Sequence, residues 1–281
     1  MEKDFDLAHC KDDWSMMNFS EFVSDNFKKR YMGLLADNAS EIKKVYTAVF
    51  PSVDVINHVL AKGERDIMLF THHPMIWDIN GKEGVFRDIP AYLLQKLKDS
   101  NIAVYNLHTP LDNFGKYSTC TSLASALGLK LKESFYDYFG HPAGAIGRTD
   151  SRSIDEMVGK VESALGHDVK LWEYGPRKIR GQLVGVIGGG GLDVQALKEL
   201  KAKGINIFVT GVTRKTAGYE PVLKAHNFAK KNKINIIGGT HYSTEKFACI
   251  AITDFFRMMG LRAEFVPDNP GFEDIDYGFK G

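Results

Sequence analysis

Six residues of metal-ligand type fall in three short motifs, and each motif follows an apolar run. His72 and His73 stand side by side in THHP, His108 and Asp112 share HTPLD, and His241 and Glu245 share HYSTE. Neutral imidazole and carboxylate oxygen are the donors of Zn, Mn, Fe and Ni sites. Adjacent residues of an extended chain point to opposite sides, so His72 and His73 are expected to serve two neighbouring ions rather than chelate one. His241 and Glu245 lie four apart, which puts them on one face of a helix, and a carboxylate can bridge two ions through its two oxygens. A helix N-terminus carries partial positive charge that opposes cations, and the acidic Asp112 and Glu245 offset it.

Each motif taken alone has a structural alternative. A His-His-Pro at a strand end, taken alone, is more often a hydrogen-bonded surface or boundary feature than a metal site. Asp112 and Asn113 can cap a following helix, and His241 with Glu245 can be a capped helix start with a solvated glutamate. The recurrence of all three at equivalent positions favours the metal reading. Cys249 and Met258, by contrast, have the spacing of core residues.

Those positions are set by the elements around them. The runs DIMLF (66–70), IAVYNL (102–107), QLVGVIG (182–188), INIFVTG (205–211) and INIIGG (234–239) are continuously apolar and rich in β-branched residues, as buried strands are. Helical segments alternate with them. Ser153 and Glu156 form a capping-box pattern that Gly166 closes, and Asp193 opens a second helix that Gly204 closes. Alternating strands and helices imply an α/β architecture. The three motifs then sit at strand C-terminal ends, where open α/β sheets bind ligands. The stretch 133–153 reads as the change of unit. IGGGGLD (187–193) follows a strand and opens a helix, but Asp193 occupies the last glycine position of G-x-G-x-x-G, so it reads as a tight turn near a ligand rather than a dinucleotide site.

Composition narrows the remaining classes. The 36 basic and 35 acidic residues leave a formal charge of +1, and the basic clusters are short, so nucleic acid is not indicated as a partner. The 3 cysteines are odd in number and lack C-x-x-C spacing, which supports neither a disulfide framework nor a cysteine zinc site. The absence of an apolar signal core or membrane-length stretch leads us to expect a soluble, cytoplasmic protein without a membrane partner. A zinc deaminase is disfavoured, because neither His-x-Glu nor Pro-Cys-x-x-Cys occurs.

In that order, THHPMIW, NLHTPLDN and GTHYSTE resemble the His-His-Pro, His-Thr-x-x-Asp and His-x-x-x-Glu signatures of the family named for the NGG-interacting factor three, whose bacterial members are labelled GTP cyclohydrolase I type 2 homologs. The resemblance runs from about residue 33 to about residue 255. It implies two α/β domains with largely parallel sheets, a metal site at strand C-terminal ends in the cleft between them, and a ring-like homo-hexamer. The domains are expected at 1–125 plus 246–281, with the first two motifs, and at 126–245, ending in the third. Carried over residue by residue, the resemblance makes His72, His73, Asp112, His241 and Glu245 the ligands of two divalent ions per chain, with Glu245 shared. His108 matches the motif histidine usually not counted as a ligand and is the candidate catalytic residue, shuttling protons or orienting a ligand.

Departures accompany the resemblance. The Asp-Asn-x-Gly-Leu signature is interrupted by FKKRYM, TGV (210–212) stands where an acidic residue commonly follows Thr-Gly, and no histidine follows in TRKTAGYEP. The long inserted domain of some relatives has no room, so this is the short form. The expected activity is dinuclear metal-dependent hydrolysis of a nucleotide-like substrate, with GTP cyclohydrolase-type ring opening as its candidate form. The alternative is a non-catalytic metal-binding protein whose ring docks partner proteins.

Overall fold

A computed structural model of the chain describes residues 1–18, 21–82, 84–215 and 220–275. Residues 216–219 of the TRKTAGYEP stretch therefore lie outside the described residues. In chain order the strands of the first half are β1 (Gly33–Ala36), β2 (Lys44–Ala48), β3 (Ile67–Thr71), β4 (Ile76–Trp77), β5 (Phe86–Arg87) and β6 (Ile102–Asn106). They are followed by β7 (Lys130–Tyr138), β8 (His141–Arg148), β9 (Lys170–Trp172), β10 (Leu183–Val186), β11 (Ile207–Thr210), β12 (Asn235–Gly238) and β13 (Arg262–Phe265). The helices are α1 (Asp25–Arg30), α2 (Val53–Ala61), α3 (Ala91–Asp99), α4 (Thr109–Asp112), α5 (Thr119–Ala126), α6 (Ile154–Leu165), α7 (Val194–Ala202), α8 (Glu220–Asn232) and α9 (His241–Met258). The chain divides into two compact units, Met1–Leu111 with Ala248–Asn269 and Asp112–Phe247 with Pro270–Gly281.

The first unit holds a five-stranded sheet in the order β1-β6-β3-β2-β13. Only the β1–β6 pairing in it is antiparallel; the others are parallel. Its central strands are apolar throughout because both faces are covered. Tyr46, Leu69 and Val104 share one core with Val55 and Ile56 of α2 and Leu93 and Leu97 of α3. On the other face Phe70 meets Phe256 of α9 edge-on at 5.5 Å. Full burial of side chains such as Phe70 and Leu69 contributes about 1.5–3 kcal/mol each. Thr71 pairs with Asn106 across this sheet, so β3 and β6 end level and their trailing residues emerge side by side.

The second unit holds a six-stranded sheet in the order β7-β8-β10-β11-β12-β9. It is mixed rather than largely parallel, since only β10, β11 and β12 run parallel to one another. The cause lies in 133–153, which is not a change of unit but most of a hairpin inside this one. Tyr138 pairs with His141 across a two-residue turn at Phe139 and Gly140, with φ of 53° and 91°, and such a turn can join only antiparallel strands. Alternate residues of β11 supply separate cores, Ile207 and Val209 with α5 and α6, Phe208 with α7 and α8.

The helix ends behave as their residue types require. Ser153 accepts the Glu156 N–H and Gly166 closes α6 at φ 84°, while Asp193 accepts the N–H groups of Gln195 and Ala196. Asp112 and Asn113 do not cap α5; Ser118 does, accepting the Thr121 N–H. Among the described residues, no helix is long and apolar enough to cross a membrane.

Candidate metal centre

In the first unit, β3 and β6 deliver three histidines to one place. His72 and His73 occupy a bend directly after β3, and His108 lies two residues past β6. Their ring centroids are 4.4 Å (His72–His73), 5.1 Å (His72–His108) and 4.8 Å (His73–His108) apart. Each ring offers a nitrogen within 4.8 Å of those of the other two. The rings of His72 and His73 converge instead of diverging, because the bend ends the strand alternation on which divergence depends. Both histidines are fully buried.

Their surroundings fix the rings. The His72 Nδ1 donates to the Leu107 carbonyl at 3.0 Å, which in the neutral ring leaves the lone pair on Nε2. Asn106, itself buried, donates to the main-chain oxygen of His72 at 2.5 Å. Phe50, just past β2, stacks on His73 at 4.6 Å, and Trp14 stands edge-on to His73 at 5.8 Å and to His108 at 5.0 Å. His108 Nδ1 lies 3.1 Å from both carboxylate oxygens of Asp12. Burial pushes the Asp12 carboxyl up, but the His108 charge and the hydrogen bonds from His108, Thr109 and Asp13 outweigh it and hold the group below the ordinary carboxylate value.

In the second unit two carboxylates join one imidazole. His241 opens α9, so Glu245 is one turn on, and His241 Nε2 stands 3.2 Å from Glu245 Oε1. Asp112 and Glu245 offer carboxylate oxygens within 4.8 Å of each other, and Asp112 accepts the Thr119 hydroxyl at 2.8 Å. The GGGG turn supplies the wall. A Cβ on Gly189, whose φ is +59°, would fall 2.0 Å from Glu245 Oε1 and 2.8 Å from His241 Nε2. Thr240 and Ser243 cap α9 reciprocally, each hydroxyl accepting the other's N–H at 3.0 Å. The His241 N–H donates to Asp274 Oδ2 at 2.6 Å, and Asp274 is fully buried. A carboxylate at this end of a helix is electrostatically favoured. The Cys120 thiol, also in this unit, is pushed up to about 12 by burial and is no thiolate donor.

These donors suit a divalent cation. At metal–ligand lengths of about 2.0–2.2 Å, neighbouring ligands stand about 3.0–3.5 Å apart, and the His241–Glu245 separation falls in that interval. Two ionised carboxylates within 4.8 Å of each other repel by at least about 3 kcal/mol at an effective dielectric constant of about 20. A cation between them reverses the sign.

Of the six residues read from sequence, the structure gathers His72, His73 and His108 in one unit and Asp112, His241 and Glu245 in the other. Asp12, Trp14, Phe50 and Asp274 escaped sequence reading. Aspartate and tryptophan in KDDW carry no motif, and only the fold brings them to His108.

Fold and donors together describe a mixed α/β protein with a candidate metal centre. The sequence matches the Duf34/NIF3 (NGG1p interacting factor 3) family over residues 21–269, and the chain belongs to that family. It is 29% identical over 267 residues to a protein of Archaeoglobus fulgidus named GTP cyclohydrolase 1 type 2 homolog, covering 94% of this chain and 98% of that one. A protein of Pyrococcus horikoshii with the same name is 28% identical over 241 residues, covering 85% of this chain and 89% of its own. Among solved structures, protein ybgI, described as of unknown function, superposes with a TM-score of 0.72 at 19% identity, covering 96% of each chain. Reduced HcgD from Methanocaldococcus jannaschii does so with a TM-score of 0.63 at 21% identity, covering 88% of this chain and 94% of that one. These likenesses identify the mixed α/β fold.

Proposed function

We propose that the protein is a metal-dependent hydrolase of a nucleotide-like substrate, with His72, His73, Asp112, His241 and Glu245 holding two divalent ions. The observation that carries this reading is the acidic group in the second unit, where Asp112 and Glu245 face each other within 4.8 Å and His241 closes on Glu245. Five donors exceed the four of a single tetrahedral ion, and Glu245 has the two oxygens that sharing requires. Bound divalent ions supply Lewis-acid activation of water near neutral pH.

The remaining work falls to the chain. Asp112 and Glu245 contribute the negative charge that retains the cations, and the Leu107 carbonyl fixes the ring that His72 presents. Trp14 and Phe50 wall the histidines with apolar surface, which keeps bulk water from competing. His108 accepts or returns a proton at the reacting group. The name carried by the relatives supports a purine nucleotide as substrate class, with opening of the GTP ring as the specific form. The deciding experiment is elemental analysis of the purified chain together with a metal-dependent turnover screen over nucleotides. Loss of all turnover on chelation, with recovery on metal return, supports the reading.

The family description, an interacting factor, favours a second reading in which the ions organise a homo-hexameric ring that docks partner proteins. Metal-replete protein that hydrolyses no nucleotide in the screen supports that reading over the first.

A further inference from the structure

The family match begins at residue 21, yet the segment before it reaches the imidazole cluster. Lys11 receives the Thr109 hydroxyl on its main-chain oxygen at 2.7 Å, and Asp12 accepts the Thr109 N–H at 3.3 Å, so this segment is docked on the turn that carries His108. The Asp12 side chain is only 2% exposed. A carboxylate so deeply buried persists only when it is paired, and its partner here is His108 Nδ1 at 3.1 Å from both oxygens. Trp14, two residues on, lies edge-on against the same ring at 5.0 Å and limits its rotation.

We propose that Asp12 is a positioning residue for His108: it holds the hydrogen of the neutral ring on Nδ1, so that the lone pair resides on Nε2. The proposal rests on the reading of the motif histidines as one metal-dependent site and adds to it a residue from outside the family domain. A carboxylate can only accept, so the nitrogen facing it must donate. In a neutral imidazole the other nitrogen is then the acceptor. In the neutral ring Nε2 is therefore the nitrogen able to accept a proton or a hydrogen bond.

The test is long-range 1H–15N correlation spectroscopy of the full chain labelled with 15N-histidine, at about pH 8, above the ordinary histidine value of about 6.5. A His108→Gln sample identifies the His108 signals. Wild type is expected to show His108 with a pyrrole-type Nδ1 and a pyridine-type Nε2. Asp12→Asn, which keeps the shape and loses the obligate acceptor, is expected to shift the population toward the opposite tautomer, and Asp12→Ala to do the same. A wild-type His108 with its hydrogen on Nε2 overturns the proposal without any variant. So does an unchanged tautomer in both variants while their far-ultraviolet circular dichroism matches wild type. Repeating the spectra with Zn2+ separates this result from the metal reading. If the His72 and His73 signals ignore Zn2+ while His108 keeps the expected pattern, the metal assignment fails and the positioning role stands.

Discussion

The first unit presents three imidazoles and the second two carboxylates with one imidazole, and the scaffolding differs with the donors. The histidines of the first unit come from the ends of two parallel strands in level register and are wedged by aromatic rings, Phe50 on His73 and Trp14 on His73 and His108. The carboxylates of the second unit come from a helix start and a single turn, and Gly188 and Gly189 pass Glu245 where a Cβ would crowd it. Neutral rings tolerate tight apolar packing, whereas paired carboxylates need a counter-charge and hydrogen-bond donors. Under the proposed function, the second unit depends on a cation more than the first. Removing donors there should cost more metal, and adding metal should stabilise it more.

Glu245→Gln should break the comparison most strongly. It removes the carboxylate proposed as shared and is expected to lower metal content by more than half, measured by elemental analysis, with Asp112→Asn smaller and any hydrolytic activity falling with each. His73→Ala should retain more metal than Glu245→Gln. The reverse order would show that the imidazole group dominates retention.

Gly189→Ala comes next. The new methyl has no room beside Glu245 Oε1, and the positive φ of +59° adds strain of about 1 kcal/mol or more. Metal affinity should fall, and the melting temperature of the metal-free protein should drop as well. Unchanged metal affinity in this variant would place the ion away from the Glu245 oxygens.

Asp274→Ala removes the acceptor of the His241 N–H at the start of α9. A lost cap costs about 0.5–2 kcal/mol, which differential scanning calorimetry reads as a lowered melting temperature, with metal affinity reduced less than in Gly189→Ala.

The smallest expected effect concerns pH in the first unit. Asp12 is held below its ordinary value, so its ionised form stabilises the fold above about pH 4, the unfolded carboxyl value. That contribution is lost as pH falls through the lower folded value. The stability advantage of wild type over Asp12→Asn should therefore shrink on acidification below about pH 4, followed by chemical denaturation across the range. An advantage that grows instead would mean that the carboxyl is not ionised in the folded chain.

The sequence was informative wherever local pattern decides structure. Continuous β-branched runs marked β3, β6, β10, β11 and β12, and Ser153 and Asp193 announced helix starts, because propensity and capping act within a few residues. The hairpin of β7 and β8 was missed. Its turn rests on Phe139 at positive φ, which no turn signature announces, and its strands carry too little alternation to stand out. The six candidate residues could be read because each sits within a motif at an element end. Asp12 and Asp274 were not, since 96 residues separate Asp12 from His108 and 33 separate Asp274 from His241, and only tertiary folding closes those distances. The convergence of His72 and His73 was also hidden, because it depends on a bend that replaces the expected extended chain.

The central claim is that this chain holds divalent ions on the named donors. Titration of the full-length protein with Ni2+ tests it most directly, read at once by bound metal per chain after gel filtration and by quenching of Trp14 fluorescence against a Trp14→Phe control, since that indole stands 5.8 Å from His73. The account predicts two equivalents per chain and quenching that disappears in the control. Saturation at one ion or none, or quenching that persists unchanged in Trp14→Phe, would contradict it.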